Sequence, residues 1–189
     1  ESDPVTLGWM VGSPPPPDKT IRFADGDYFS FPKLRWTVCH FRQLMPTVGV
    51  DRGPGPSVPL QRKIDDAIDA VTFIPTGSGK TMTWAESLQA NYTDGIVVLH
   101  DGVVVYERYA GCLDGNGQHG AMSVTKSLTG LLGEMLVAEG VIDETEKAGA
   151  IVPELAGSAF GDATVKQILE MTTGLRYRED YADPDSEVW

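Results

Sequence analysis

Two apolar runs, Gly95 to His100 and Val103 to Tyr109, meet at the dipeptide Asp101-Gly102. Both central residues of a type I′ turn need positive φ, and Asp-Gly accepts that at little steric cost, so the sequence predicts a tight antiparallel hairpin. A two-residue turn fixes the register of its strands, and the remaining elements must be laid against that pair. The first run, Gly95-Ile96-Val97-Val98-Leu99-His100, shows no polar alternation. It is expected to be buried on both faces, like a strand inside a sheet covered by helices.

The pattern on either side of the hairpin is helical. Thr83 to Tyr92 reads as a short helix with Thr83 as N-cap and Glu86 as its capping-box partner. From Ser123 to Glu139, apolar side chains at Val124, Leu128, Leu131, Leu132, Met135 and Leu136 have the spacing of a helix with one buried stripe, and Gly140 suits its C′ position. A further helix is predicted from an N-cap at Thr164 through Val165, Ile168 and Leu169, ending before Gly174, with Ile151 to Leu155 as a short connection between the two. Strands followed by helices point to an α+β arrangement rather than repeated βαβ units. Residues 1–60 hold Pro14 to Pro17 in a row and Gly53-Pro54-Gly55-Pro56, which predicts an extended wrapping arm anchored by Trp36, Phe41, Leu44 and Met45. Residues 61–189 are expected to form the body.

Charge narrows the partners. With 27 acidic against 15 basic residues, the formal net charge of -12 repels both a phosphate backbone and an anionic membrane face, so neither nucleic acid nor membrane is expected. The apolar runs, such as Ile96 to Leu99, are strand-sized and far below the roughly 18 residues a bilayer requires. The opening Glu1-Ser2-Asp3-Pro4 lacks a basic and then apolar leader, and a cytoplasmic location is expected. Cys39 and Cys112 have no metal-ligand spacing and are read as two separate thiols. His40, His100 and His119 fit no HExxH pattern, so no metal is expected.

The segment Met122-Ser123-Val124-Thr125-Lys126-Ser127 carries the chemistry. Residues three apart share a helix face, so the Lys126 amine can reach the Ser123 hydroxyl. A serine hydroxyl attacks a carbonyl only when a base takes its proton, and a lysine serves once desolvation or nearby positive charge has lowered its pKa. The helix N-terminus adds unpaired amides that favour an oxyanion. The other motif, Gly77-Ser78-Gly79-Lys80-Thr81, imitates the end of a phosphate-binding loop, but Ile74 stands where that loop needs glycine and Pro75 interrupts the preceding apolar run. It is read as a polar loop, with nucleotide binding kept as a rival of another class.

Ser123 and Lys126, followed by Thr164-Val165-Lys166-Gln167-Ile168-Leu169-Glu170-Met171-Thr172-Thr173-Gly174-Leu175 in the expected order, resemble the superfamily of serine β-lactamases, penicillin-binding proteins and carboxylesterases. Within it, Arg35-Trp36, Leu44-Met45-Pro46-Thr47, Val152 to Ser158 and Glu179 to Pro184 are most similar to the 6-aminohexanoate-dimer (nylon-oligomer) hydrolases. The resemblance implies a β-lactamase-like fold, an antiparallel sheet flanked by helices plus a helical region. It implies a cofactor-free serine hydrolase with Ser123 as nucleophile, Lys126 as base and Tyr181 at the substrate cleft. Linear aminohexanoate oligomers are the leading substrate, and a carboxylesterase or a β-lactamase or D-aminopeptidase-like activity is the alternative. A non-catalytic binding protein of the same fold is the other rival. Neither the family's Tyr box nor its Lys-Thr-Gly or His-x-Gly box can be placed, so the chain is expected to be an N-terminal half that a C-terminal segment completes. A homodimer is kept as a candidate assembly.

Overall fold

The structure, a computed structural model, describes residues 2–180, 183 and 185–188. The chain divides into two compact units, Glu1–Gly120 and Ala121–Trp189. Residues 1–60 therefore belong to the same unit as the hairpin.

In the first unit, short helices α1 (Leu34–Thr37) and α2 (Phe41–Leu44) interrupt an arm that is otherwise turns and 3₁₀ segments. They are followed by strands β1 (Gln61–Arg62), β2 (Thr72–Phe73) and β3 (Met82–Thr83), helix α3 (Trp84–Ala90), and strands β4 (Gly95–His100) and β5 (Val103–Tyr109). The turn between β4 and β5 is the one the dipeptide dictates, with Asp101 at φ 50° and Gly102 at φ 76°. The strands pair antiparallel, Gly95 opposite Tyr109 and His100 opposite Val103, with an irregularity at Val98/Leu99 where Val105 is the extra residue. β1 adds to the other side of β5 in parallel, giving the order β1-β5-β4. The small sheet is thus the expected antiparallel pair with a two-residue parallel strand on its far side.

That order reverses the burial expected for β4. It lies at an edge of the described sheet and leaves Val97 and Leu99 45% and 47% exposed. The central β5 provides the core, with Val104 and Tyr106 buried. An unbroken apolar run records a tendency to be covered on both faces, while position in the sheet decides whether anything covers it. Tyr106 donates from its hydroxyl to Asp69, and Arg108 reaches Asp66 and Asp69, each at 2.8 Å. The Tyr106 hydrogen bond and then that of Arg108 hold the Asp69 carboxyl below its ordinary value. Pro4, Ile21, Trp36 and Thr37 are the buried side chains described in the arm, and Thr37 Oγ1 donates to the Tyr28 carbonyl at 2.7 Å. The cysteines are not separate thiols: Cys39, just beyond α1, and Cys112 form a disulfide across 73 residues of sequence. Sequence spacing carries no record of such a pair, because only the return of the chain after β5 brings the two together.

Local signals set the ends of the helices. α3 opens with a complete capping box in which Glu86 N–H donates to Thr83 Oγ1 at 3.1 Å and Thr83 N–H to the Glu86 carboxylate at 2.7 Å. The second unit contains α4 (Val124–Ala138), α5 (Ala148–Ile151) and α6 (Val165–Leu169). α4 ends in a Schellman motif: Gly140 sits at φ 72°, its amide donates to Val137 O at 3.0 Å, and the Val141 amide to Leu136 O at 2.9 Å. α6 has its own capping box from Thr164 and Gln167. Ala148 and Ala163 are buried in this unit, but α4 has no buried residue. Its expected buried stripe is open instead, with Val124, Leu128, Leu131 and Leu132 59–63% exposed. The 3.6-residue period made the stripe, and no described element of its own unit is laid over it.

Candidate active site

α4 begins where the sequence placed it, and the residue before its N-cap has an unusual backbone. Met122 lies at φ 48°, in the left-handed region that a non-glycine side chain enters at a cost of about 1 kcal/mol or more. Ser123 follows at the N-cap with φ -71° and ψ -6°. Its hydroxyl makes no capping hydrogen bond, although capping is the usual employment of a serine at that position. The partner of that hydroxyl is Lys126, whose Nζ lies 3.4 Å from Ser123 Oγ. One turn of helix accounts for the meeting, since positions i and i+3 stand on one face.

The backbone around the pair is largely paired. The amides of Val124, Thr125 and Lys126 donate to the carbonyls of Ala121, Met122 and Ser123 at 3.0–3.1 Å. Among the described residues, the Ser123 amide donates to no protein oxygen. A hydroxyl free of capping duty, an amine within reach and an unspent N–H stand together at the N-terminus of a 15-residue helix, where the peptide dipoles favour negative charge. Such a group can attack a carbonyl, relay the proton and stabilise part of the resulting oxyanion. Ser123 and Lys126 are both exposed among the described residues, so the shielding that a lysine base requires is not supplied by them.

Other sequence candidates fare differently. Tyr181 lies outside the described residues. Near the end of the chain, Asp183, Asp185 and Glu187 are gathered around Arg178, which donates to the Asp183 carboxylate at 3.1 Å, to the Asp185 carbonyl at 3.0 Å and to the Glu187 carboxylate at 3.0 Å. Its own amide, with Arg178, holds the Glu187 carboxyl below the ordinary value. The Gly77-Ser78-Gly79-Lys80 segment is the loop between the antiparallel strands β2 and β3, and Ser78 Oγ accepts from the Lys80 amide at 3.2 Å. No helix starts there to receive a phosphate, which agrees with the polar-loop reading. Among the described residues, no three His, Cys, Asp or Glu side chains are grouped to hold a metal ion. No described helix is long and apolar enough to cross a membrane.

Sequence reasoning missed one polar cluster. The Asp94 carboxylate, with 6% of its side chain exposed, pairs with Arg35 through one oxygen and lies 3.2 Å from His119 Nε2 through the other. The residues are 59 and 25 positions apart, and no motif connects them.

Comparison with known proteins gives the chain a family. The chain is 35% identical over 158 residues to the 6-aminohexanoate-dimer hydrolase of Paenarthrobacter ureafaciens, covering 83% of this chain and 38% of that protein. A solved structure from Bacillus anthracis, provisionally described as a 6-aminohexanoate-dimer hydrolase, superimposes with a TM-score of 0.72 at 28% identity over 82% of this chain and 41% of that one. The chain therefore spans about two fifths of the length of these relatives. Residues 84–188, from α3 through the Ser123 helix to the Arg178 cluster, match the family described as Beta-lactamase. The α+β arrangement and this match agree, and the chain belongs to the β-lactamase family.

Proposed function

We propose that the protein is a serine hydrolase that opens small amide or ester bonds through an acyl-enzyme on Ser123, with linear 6-aminohexanoate oligomers as the favoured substrates. The observation that carries this reading is the 3.4 Å approach of Lys126 Nζ to a Ser123 hydroxyl with no capping bond, directly behind the left-handed Met122. Ser123 Oγ bonds to the substrate carbonyl carbon as its proton passes to the Lys126 amine. The Ser123 amide donates to the oxygen that gains charge. Collapse expels the amine or alcohol, which takes the proton, and water then releases the acid and restores the serine. The description of both relatives as 6-aminohexanoate-dimer hydrolases supports the substrate class.

Lys126 acts as a base only when neutral, so the site needs cover that lowers the local dielectric. A further segment of the same protein provides it in this reading. The open apolar stripe of α4 and the greater length of the relatives support that role. Tyr181 is the side chain we place beside the substrate.

The test is labelling of the intact protein with a fluorophosphonate, together with turnover of an aminohexanoate dimer, a p-nitrophenyl ester and a cephalosporin. An adduct on Ser123 is expected. Ser123→Ala should lower kcat by at least about 10³-fold with the fold retained, and Lys126→Ala nearly as much because the two act as a unit. An adduct elsewhere, or more than about 1% of wild-type turnover in Ser123→Ala, refutes the mechanism.

A further inference from the structure

The segment 111–120 returns from β5 onto residues 35–41, and four contacts converge there within the Glu1–Gly120 unit. Cys112 is bonded to Cys39. Asp94 lies between Arg35 and His119. The Gly120 amide donates to Val38 O at 2.7 Å. The backbone approaches so closely that a Cβ on Gly120 would stand 2.5 Å from the Phe41 ring, and one on Gly111 2.5 Å from Asp94 Oδ1. Between these anchors, residues 114–118 are exposed, and hydrogen bonds such as Asn116 N–H to Asp114 at 2.8 Å and Gly117 N–H to Asp114 O at 3.0 Å are local. Segments with exposed backbone and only local bonds open first.

We propose that the Cys39–Cys112 disulfide is a redox-operated staple. Closed, it locks residues 111–120 against the α1–α2 segment. Open, it frees that loop, while the Arg35–Asp94 pair and the β5 core keep the rest of the unit folded. Both cysteines are half-buried, within reach of a small dithiol. A thiolate of the reductant attacks one sulfur, the protein S–S bond breaks, and the other cysteine leaves as a thiolate. The second thiol of the reductant resolves the mixed disulfide. Two electrons and two protons pass to Cys39 and Cys112, and the reductant becomes its own disulfide. An oxidising compartment keeps the staple closed and a thiol-rich cytosol opens it. A cytoplasmic location, expected from the sequence, would correspond to the open form.

Hydrogen exchange on the intact protein, read by mass spectrometry with and without dithiothreitol, tests this, with a non-reducing peptide map to assign the bond. The map of the air-oxidised protein should contain a linked Cys39–Cys112 peptide. Reduction should raise exchange across 111–120 by about tenfold or more, leave the β4–β5 hairpin protected, and reverse on reoxidation. The Cys39→Ser, Cys112→Ser double variant should show the open pattern with or without reductant. Free thiols at both positions in the oxidised protein, unchanged exchange in 111–120 on reduction, or loss of protection throughout the unit would overturn the proposal.

Discussion

Replacing Asp94 by alanine tests whether the arm is held to the hairpin by a buried charge. Arg35 and Asp94 are 12% and 6% exposed in their side chains, far from the solvated regime in which ion pairs contribute about 0–1 kcal/mol. Removing one partner strands the other, and Arg35 already has a buried Nε without a hydrogen-bond partner among the described residues. His119 loses its contact as well. The expected loss is about 3–5 kcal/mol, the range for breaking a buried pair from one side. Urea unfolding of the intact protein, followed by tryptophan fluorescence, reads it as a fall in midpoint at unchanged slope. Asp25→Ala is the control, because Arg22 and Asp25 in the same unit are 3.8 Å apart and 60% and 40% exposed; it should cost under about 1 kcal/mol. Pairing Asp94→Ala with Arg35→Met should recover much of the loss, since no uncompensated charge then stays inside. An Asp94→Ala effect as small as that of Asp25→Ala, or no recovery in the double variant, would refute the reasoning.

Two further outcomes follow from local geometry. Thr83→Ala removes the acceptor of the Glu86 amide at the start of α3 and should cost about 1 kcal/mol in the same unfolding experiment, whereas Thr83→Ser should be close to wild type. Because the Asp69 carboxyl is held below its ordinary value of 3.8 by Tyr106 and Arg108, its contribution is present above that pH and is lost as pH falls through the lower folded value. A pH series of unfolding midpoints should therefore fall less steeply below about pH 4 in Asp69→Asn than in wild type, and equal slopes would contradict the assignment.

Features that interact over a few residues were legible before any fold was known. Asp101-Gly102 selects its turn, Thr83 and Thr164 cap their helices, Gly140 closes α4, and Ser123 meets Lys126 because helix geometry alone brings positions three apart together. Free energies of that kind are set by φ, ψ and the nearest hydrogen bonds, so the order of residues contains them. Met122 escaped notice, since a methionine gives no sign of left-handed backbone; its φ is imposed by the turn that delivers the chain to α4.

Tertiary structure alone decided the rest. The Cys39–Cys112 bond, the Arg35–Asp94–His119 cluster and the gathering of acids by Arg178 join groups whose distance depends on the path of the chain between them. Burial followed the same rule: the apolar period of α4 and the apolar run of β4 were read correctly as patterns, yet both stay open among the described residues. Periodicity fixes which side of an element is apolar, and only a neighbour arriving from elsewhere in the chain can take that side out of water.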